Sequence, residues 1–138
     1  MTVWRAWLLS LALAGCGAGG IEYPADGLGR AAGAKMEVEM GAREAQGYPI
    51  TVEIEELPLP WEIVSGARTY AVWIAGNDGV PRLAGTLDYD RDAQHGQLHT
   101  HTPYDELTVL VTAEPARIPP APLGVLVAER AIVHRPAA

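Results

Sequence analysis

His99-Thr100-His101 is the arrangement in this sequence that comes nearest to a metal site. Residues i and i+2 of a strand point to one face, so two imidazoles at this spacing share an ion when a third donor approaches. With Leu98 and Thr100 turned inward, His99 and His101 stand toward solvent beside Gln97. Asp88, on the neighbouring strand of the hairpin, is the candidate third ligand, and two imidazoles with a carboxylate suit zinc or copper(II). The plainer reading is a pair of polar residues on a solvated strand. No second His pair reinforces the metal reading, and His134 lies near the end of the chain. Asp88-x-Asp90-x-Asp92 opens like an oxygen-rich calcium loop, but Ala93 and His99 stand where such a loop needs Gly and Glu. A solvated turn is expected there.

Other chemistry is sparsely supplied. Ser10 and Ser65 are the only serines. Ser65-Gly66 has no nucleophile elbow around it. Glu55-Glu56 and Asp105-Glu106 are adjacent pairs at strand ends, where neighbours point apart, so neither makes a hydrolytic dyad. The residues predict no enzyme and no cofactor.

Cys16 is the single cysteine, which rules out a disulfide framework within the chain and a Cys-based zinc finger. Ahead of it, Arg5 is followed by an apolar run from Ala6 to Gly15 broken only by Ser10. That run falls short of the roughly 20 apolar residues a membrane helix needs. It fits the apolar region of a secretory signal peptide. The run ends in Leu13-Ala14-Gly15-Cys16, which resembles the lipobox of bacterial lipoproteins. The resemblance implies cleavage after Gly15, a diacylglyceryl thioether on Cys16 and acylation (palmitate or a similar chain) of the new amino terminus. The alternative is an ordinary signal peptide cleaved near Ala14 with Cys16 left as a thiol. Two or more acyl chains anchor stably, where one gives only marginal binding. Gly17 follows the cysteine in place of Asp, and in the Gram-negative sorting rule that favours the outer membrane over the inner.

The elements that would position any site follow from composition and period. The chain has 138 residues, 49% hydrophobic and 20% charged, enough for one globular domain plus a tail. Ten Lys+Arg against 17 Asp+Glu give a net charge of −7, which argues against binding nucleic-acid phosphates. Residues 1–15 read as the lipoprotein signal peptide and 16–34 as the lipidated cysteine with a Gly- and Ala-rich flexible tether, of r.m.s. reach about 25 Å. Residues 35–138 read as the folded domain.

Within it the period is two. Met36, Val38 and Met40 alternate with Glu37 and Glu39; Ile50, Val52 and Ile54 alternate with Thr51, Glu53 and Glu55. Leu57-Pro58-Leu59-Pro60 breaks pairing, because proline donates no ladder hydrogen bond. Arg68 to Ala75 is continuously apolar, as a strand covered on both faces would be. Gly76-Asn77-Asp78-Gly79 predicts a hairpin turn, with Leu83, Leu87 and Tyr89 on the return. Leu98 marks a further strand, and Leu107, Val109, Val111 and Ala113 mark the next. A proline-rich segment, 115–122, precedes a last strand over 124–134. About seven strands in this length predict an all-β, immunoglobulin-like sandwich, with Trp73 and Tyr70 in its core.

Tyr70-x-x-Trp73, Gly85-Thr86, Val111-Thr112-x-Glu114-Pro115 and the proline-rich approach to Gly124 resemble the extracytoplasmic domain of anti-sigma-K-type factors. The resemblance covers residues 70–134. It implies the fold and the side of the membrane. It implies no sigma-factor binding, since the sequence shows neither the helical sigma-binding domain nor the membrane helix of those proteins. The functional expectation is a lipid-anchored envelope protein acting as a non-catalytic binding, scaffold or sensing module through loops and edge strands, with an envelope protein as partner. The alternative is a periplasmic copper- or zinc-binding lipoprotein using the His99/His101 face.

Overall fold

The computed structural model describes residues 20–115 and 119–136. Leu13, Ala14, Gly15 and Cys16 lie outside the described residues. Among the described residues nine strands form two antiparallel sheets. They are β1 (Ile21–Asp26), β2 (Lys35–Met40), β3 (Tyr48–Glu55), β4 (Thr69–Ala75), β5 (Pro81–Thr86), β6 (Asp88–Asp90), β7 (His95–Thr102), β8 (Glu106–Glu114) and β9 (Val125–Val133). One sheet runs β1-β2-β3-β7-β6 and the other β5-β4-β8-β9. With β1 set aside, these orders are the A-B-E-D sheet of an immunoglobulin-like sandwich and its C-F-G sheet extended by one strand beside C. The predicted fold class is therefore the observed one, with nine strands in place of about seven.

Period two sets the layers. The β2 side chains alternate exposed and buried, and Met36, Val38 and Met40 meet Ile54, Val52 and Ile50 across the β2–β3 ladder. Tyr70, Val72 and Ile74 of β4, with Leu107, Val109, Val111 and Ala113 of β8, face them from the second sheet. The chain crosses from the second sheet to the first at Leu87, whose N–H donates to Tyr70 O (2.9 Å).

Residues 20–34 correct the expected tether. Ile21–Asp26 pairs along its length with β2, from Ile21↔Met40 to Asp26↔Lys35. A single 3-10 turn at Gly29–Ala31 follows, and Ala31 and Ala34 are buried in the core. The alternation Ile21, Tyr23, Ala25 against Glu22, Pro24, Asp26 drives this pairing. Pro24 is tolerated because β1 is an edge strand. β1 also closes one side of the sandwich against β9: Arg130 Nη1 donates to Pro24 O (3.0 Å) and Leu28 N to Val127 O (2.8 Å). Residues 21–34 thus belong to the folded domain, which sequence analysis began at residue 35.

The core expectation divides in two. Tyr70 is fully buried between the sheets. Trp73 is equally buried but points the other way, with Ala71 and Ala75, onto the outer face of the second sheet. The reason is parity, since Tyr70, Val72 and Ile74 take the inner face. The indole N–H of Trp73 donates to Thr112 Oγ1 (2.9 Å), whose hydroxyl donates to Glu114 Oε2 (2.5 Å). The connection from β8 to β9 returns onto this network, with Gly124 N donating to the same carboxylate oxygen (2.9 Å).

Candidate functional site

The three histidines of β7 share one exposed face, as alternation requires, and each has its own partner. His99 Nδ1 lies 2.8 Å from Thr51 Oγ1, His101 Nε2 lies 3.1 Å from Glu44 Oε2, and His95 Nε2 lies 3.0 Å from Glu53 Oε1. Asp88 opposes Gln97 in the β6–β7 ladder, so no histidine is its direct partner. Among the described residues no three His, Cys, Asp or Glu side chains come together to hold a metal. The set His99, His101 and Asp88 does not assemble. Asp90, the middle residue of the calcium-like spacing, accepts from Asp92 N (2.9 Å) and Ala93 N (3.2 Å), which makes the segment a local turn.

The same sheet face is acidic. Glu22 lies opposite Glu39, and Glu37 opposite Glu53, in adjacent ladders. Hydrogen bonding to Glu22, followed by desolvation and charge repulsion from Glu22, raises the Glu37 carboxyl above its ordinary value, with smaller repulsion from Glu53 and Glu39.

A concavity lies elsewhere, at the end of the sandwich away from Ile21. It has a volume of about 440 Å³ and is bounded by the connection from β3 to β4 and by the crossing from β5 to β6. Trp61, Arg68 and Arg91 stand around it with Thr69, Thr86 and Asp88. Trp61 sits on a one-turn helix, α1 (Pro60–Ile63), started by Pro60 at its first position. Leu57 and Ile63 are buried on either side of it while the indole itself is 47% exposed.

Two tyrosines fix that connection. Tyr70 and Tyr89 meet edge-to-face at 5.4 Å and donate their hydroxyls to successive carbonyls, Pro58 O and Leu57 O. Leu57 N donates to Gln94 O (2.9 Å), and the residues beside this bond, Glu56 and Gln94, hold positive φ of 54° and 52°. Side chains other than glycine adopt that conformation at a cost of about 1–2 kcal/mol each, and such strain concentrates where geometry matters. The Trp61 loop is therefore held rigidly.

Compared with known proteins, the chain matches no protein-family model, no curated protein and no solved structure. The cleft is thus read from its own residues. Sequence analysis placed Asp88 at a metal, and the structure places it at this cleft. Trp61, Arg68 and Arg91 were not singled out there. The one signal for them was Leu57-Pro58-Leu59-Pro60, which announces a rigid connection ahead of an exposed aromatic.

The clamp gives this region a pH dependence. Burial pushes the Tyr70 phenol well above the ordinary tyrosine range, with smaller contributions from Tyr89 and Glu62, and burial raises Tyr89 in the same direction. The folded protein holds these protons more tightly than the unfolded chain does. The stability they contribute is complete below about pH 10 and is lost as pH rises through the folded values, at about 1.4 kcal/mol per pH unit for Tyr70 while only the unfolded phenol ionises. Tyr70→Phe, which orphans Pro58 O, is expected to cost about 1–2 kcal/mol at neutral pH and to flatten the alkaline slope. Urea unfolding at pH 8, 10 and 11 checks this; equal slopes in both proteins would refute it.

Proposed function

We propose that this protein is a lipid-anchored binding module of the bacterial cell envelope, non-catalytic, held to the membrane through Cys16 and presenting its distal loops to a partner. The observation that carries the reading is the position of β1. Only Gly17–Gly20 separates Cys16 from Ile21, a stretch that reaches at most about 18 Å when extended. An anchor at Cys16 therefore holds the Ile21 end of the sandwich close to the lipid surface and leaves the opposite end facing outward. That outward end carries the connections around residues 56–68, 91–94 and 119–124, with Trp61 and Leu123 exposed at 47% and 79%. Loops carried on a rigid sandwich are a usual recognition surface.

The resemblance to the extracytoplasmic domain of anti-sigma-K-type factors supports the same side of the membrane. Its residues Trp73, Thr112, Glu114 and Gly124 form one hydrogen-bonded unit, so we read them as a folding signature rather than as a regulatory site. Gly17 after the cysteine favours the outer membrane.

The test is in-cell crosslinking with mass spectrometry, alongside labelling with a radioactive or clickable palmitate, in wild type and Cys16→Ser. The reading expects label on the wild-type chain alone, loss of membrane association in Cys16→Ser, and one envelope protein crosslinked only from the anchored form. An unlabelled wild-type chain that fractionates identically to Cys16→Ser would overturn it.

A further inference from the structure

We infer that the distal cleft around Trp61, Arg68 and Arg91 binds an acidic saccharide, one whose rings carry carboxylate groups. The inference rests on the reading of the chain as a binding module and names what that module holds.

Charge bookkeeping across the molecule points to this cleft. The protein carries an excess of seven acidic groups, and its described cations are mostly engaged. Lys35 pairs with Asp26, Arg82 with Asp78, and Arg135 with Asp105 and Glu106. Arg43 and Arg130 lie over the rings of Tyr48 and Tyr23. Arg30, Arg68 and Arg91 stand apart from this pattern, and of the three only Arg68 and Arg91 line a cleft together. Among the described residues neither guanidinium has a hydrogen bond or ion pair, yet both line one cleft of an acidic protein. A guanidinium offers a planar fork of donors that matches a carboxylate in two parallel hydrogen bonds.

The other groups narrow the ligand. The exposed indole of Trp61 presents a flat apolar surface against which a ring can lie. The hydroxyls of Thr69 and Thr86 both donate and accept. Asp88 only accepts when ionised, so it calls for a ligand that also carries hydroxyl donors. A bare phosphate has no ring to lie against the indole and would leave it unused. An acidic peptide could satisfy the guanidiniums but offers few hydroxyls to Asp88. A sugar acid supplies a carboxylate, hydroxyls and a ring together. The volume, about 440 Å³, lies within the range for small-molecule sites. The tyrosine clamp fixes the backbone at Leu57 and Pro58 that leads into the Trp61 turn, which lowers the ordering cost of association.

The full chain in detergent micelles would be titrated with digalacturonate by calorimetry, and the Trp61 indole N–H followed by NMR. Saturable binding that shifts this resonance is expected. It should weaken about tenfold or more for the methyl-esterified disaccharide and for Arg68→Gln/Arg91→Gln, as loss of charge-assisted hydrogen bonds implies. Trp61→Ala should weaken it similarly. All three side chains are exposed, and circular dichroism checks that the fold is kept. Inorganic phosphate and a tetraglutamate peptide are the competing probes. Absence of digalacturonate binding, undiminished binding in the double variant, or tighter binding of phosphate or peptide than of digalacturonate would each overturn the inference. Because palmitate labelling and crosslinking do not depend on the ligand, failure here leaves the anchored-module reading to be judged separately.

Discussion

His134→Ala is expected to lower the stability of the fold by about 3–5 kcal/mol, a large part of the 5–15 kcal/mol typical of a small domain. The imidazole is 1% exposed and joins three parts of the chain. Nε2 lies 2.8 Å from Gly41 O, and a carbonyl only accepts, so the ring proton is on Nε2. In the neutral ring Nδ1 is then the acceptor for the Tyr23 hydroxyl, also at 2.8 Å. The rings of Tyr48 and Tyr23 close around it edge-on at 5.3 and 5.9 Å. Alanine orphans the Gly41 carbonyl and the Tyr23 hydroxyl, each at about 1–3 kcal/mol, and opens a cavity between two aromatic rings. Urea unfolding gives the total, and amide exchange should show β1 losing protection before the other strands. A loss under 1 kcal/mol would mean that β1 is held by its ladder alone.

That clamp shows where the sequence stops being readable. His134 is 111 residues from Tyr23 and 93 from Gly41, so no local spacing announces it. The cleft is similar, because Trp61, Arg68 and Arg91 come from separate segments that only the sandwich brings together. The fold was legible because β2, β3 and the first half of β8 each hide one face, and period two then identifies strands. β1 carried the same alternation, Ile21, Tyr23 and Ala25 against Glu22, Pro24 and Asp26. It sits among glycines and alanines that read as a tether, and its proline reads as a breaker unless the strand is known to be an edge. The orientation of Trp73 was not legible, since a strand buried on both faces has apolar residues at both parities. The histidine face was oriented correctly from Leu98 and His99, but the partners of its imidazoles on β3 and the β2–β3 turn depend on register.

The residues behind the family resemblance yield the second large effect. Glu114→Ala is expected to cost about 2–4 kcal/mol and Glu114→Gln no more than about 1 kcal/mol. Glu114 is 1% exposed, and one of its oxygens, Oε2, accepts from both the Thr112 hydroxyl and Gly124 N. The amide oxygen of glutamine can take both bonds and loses only their charge assistance, whereas alanine leaves two buried donors without an acceptor. The register Ala71↔Thr112 places Thr112 diagonally across from Trp73, so disturbing the carboxylate also disturbs the hydroxyl that receives the indole N–H. Gly124 belongs to the same arrangement: a Cβ there would stand 1.9 Å from Ala113 O, so glycine alone lets the returning chain approach the carboxylate. Urea unfolding measures the two costs, and hydrogen exchange at the Trp73 indole N–H reports whether the network has opened. Fast indole exchange in Glu114→Ala with slow exchange in Glu114→Gln would tie the paired motifs to the β8–β9 connection. Equally fast exchange in the two variants would mean that the carboxylate charge, rather than its geometry as an acceptor, holds the distal end together, and equally slow exchange would mean that the network does not depend on Glu114.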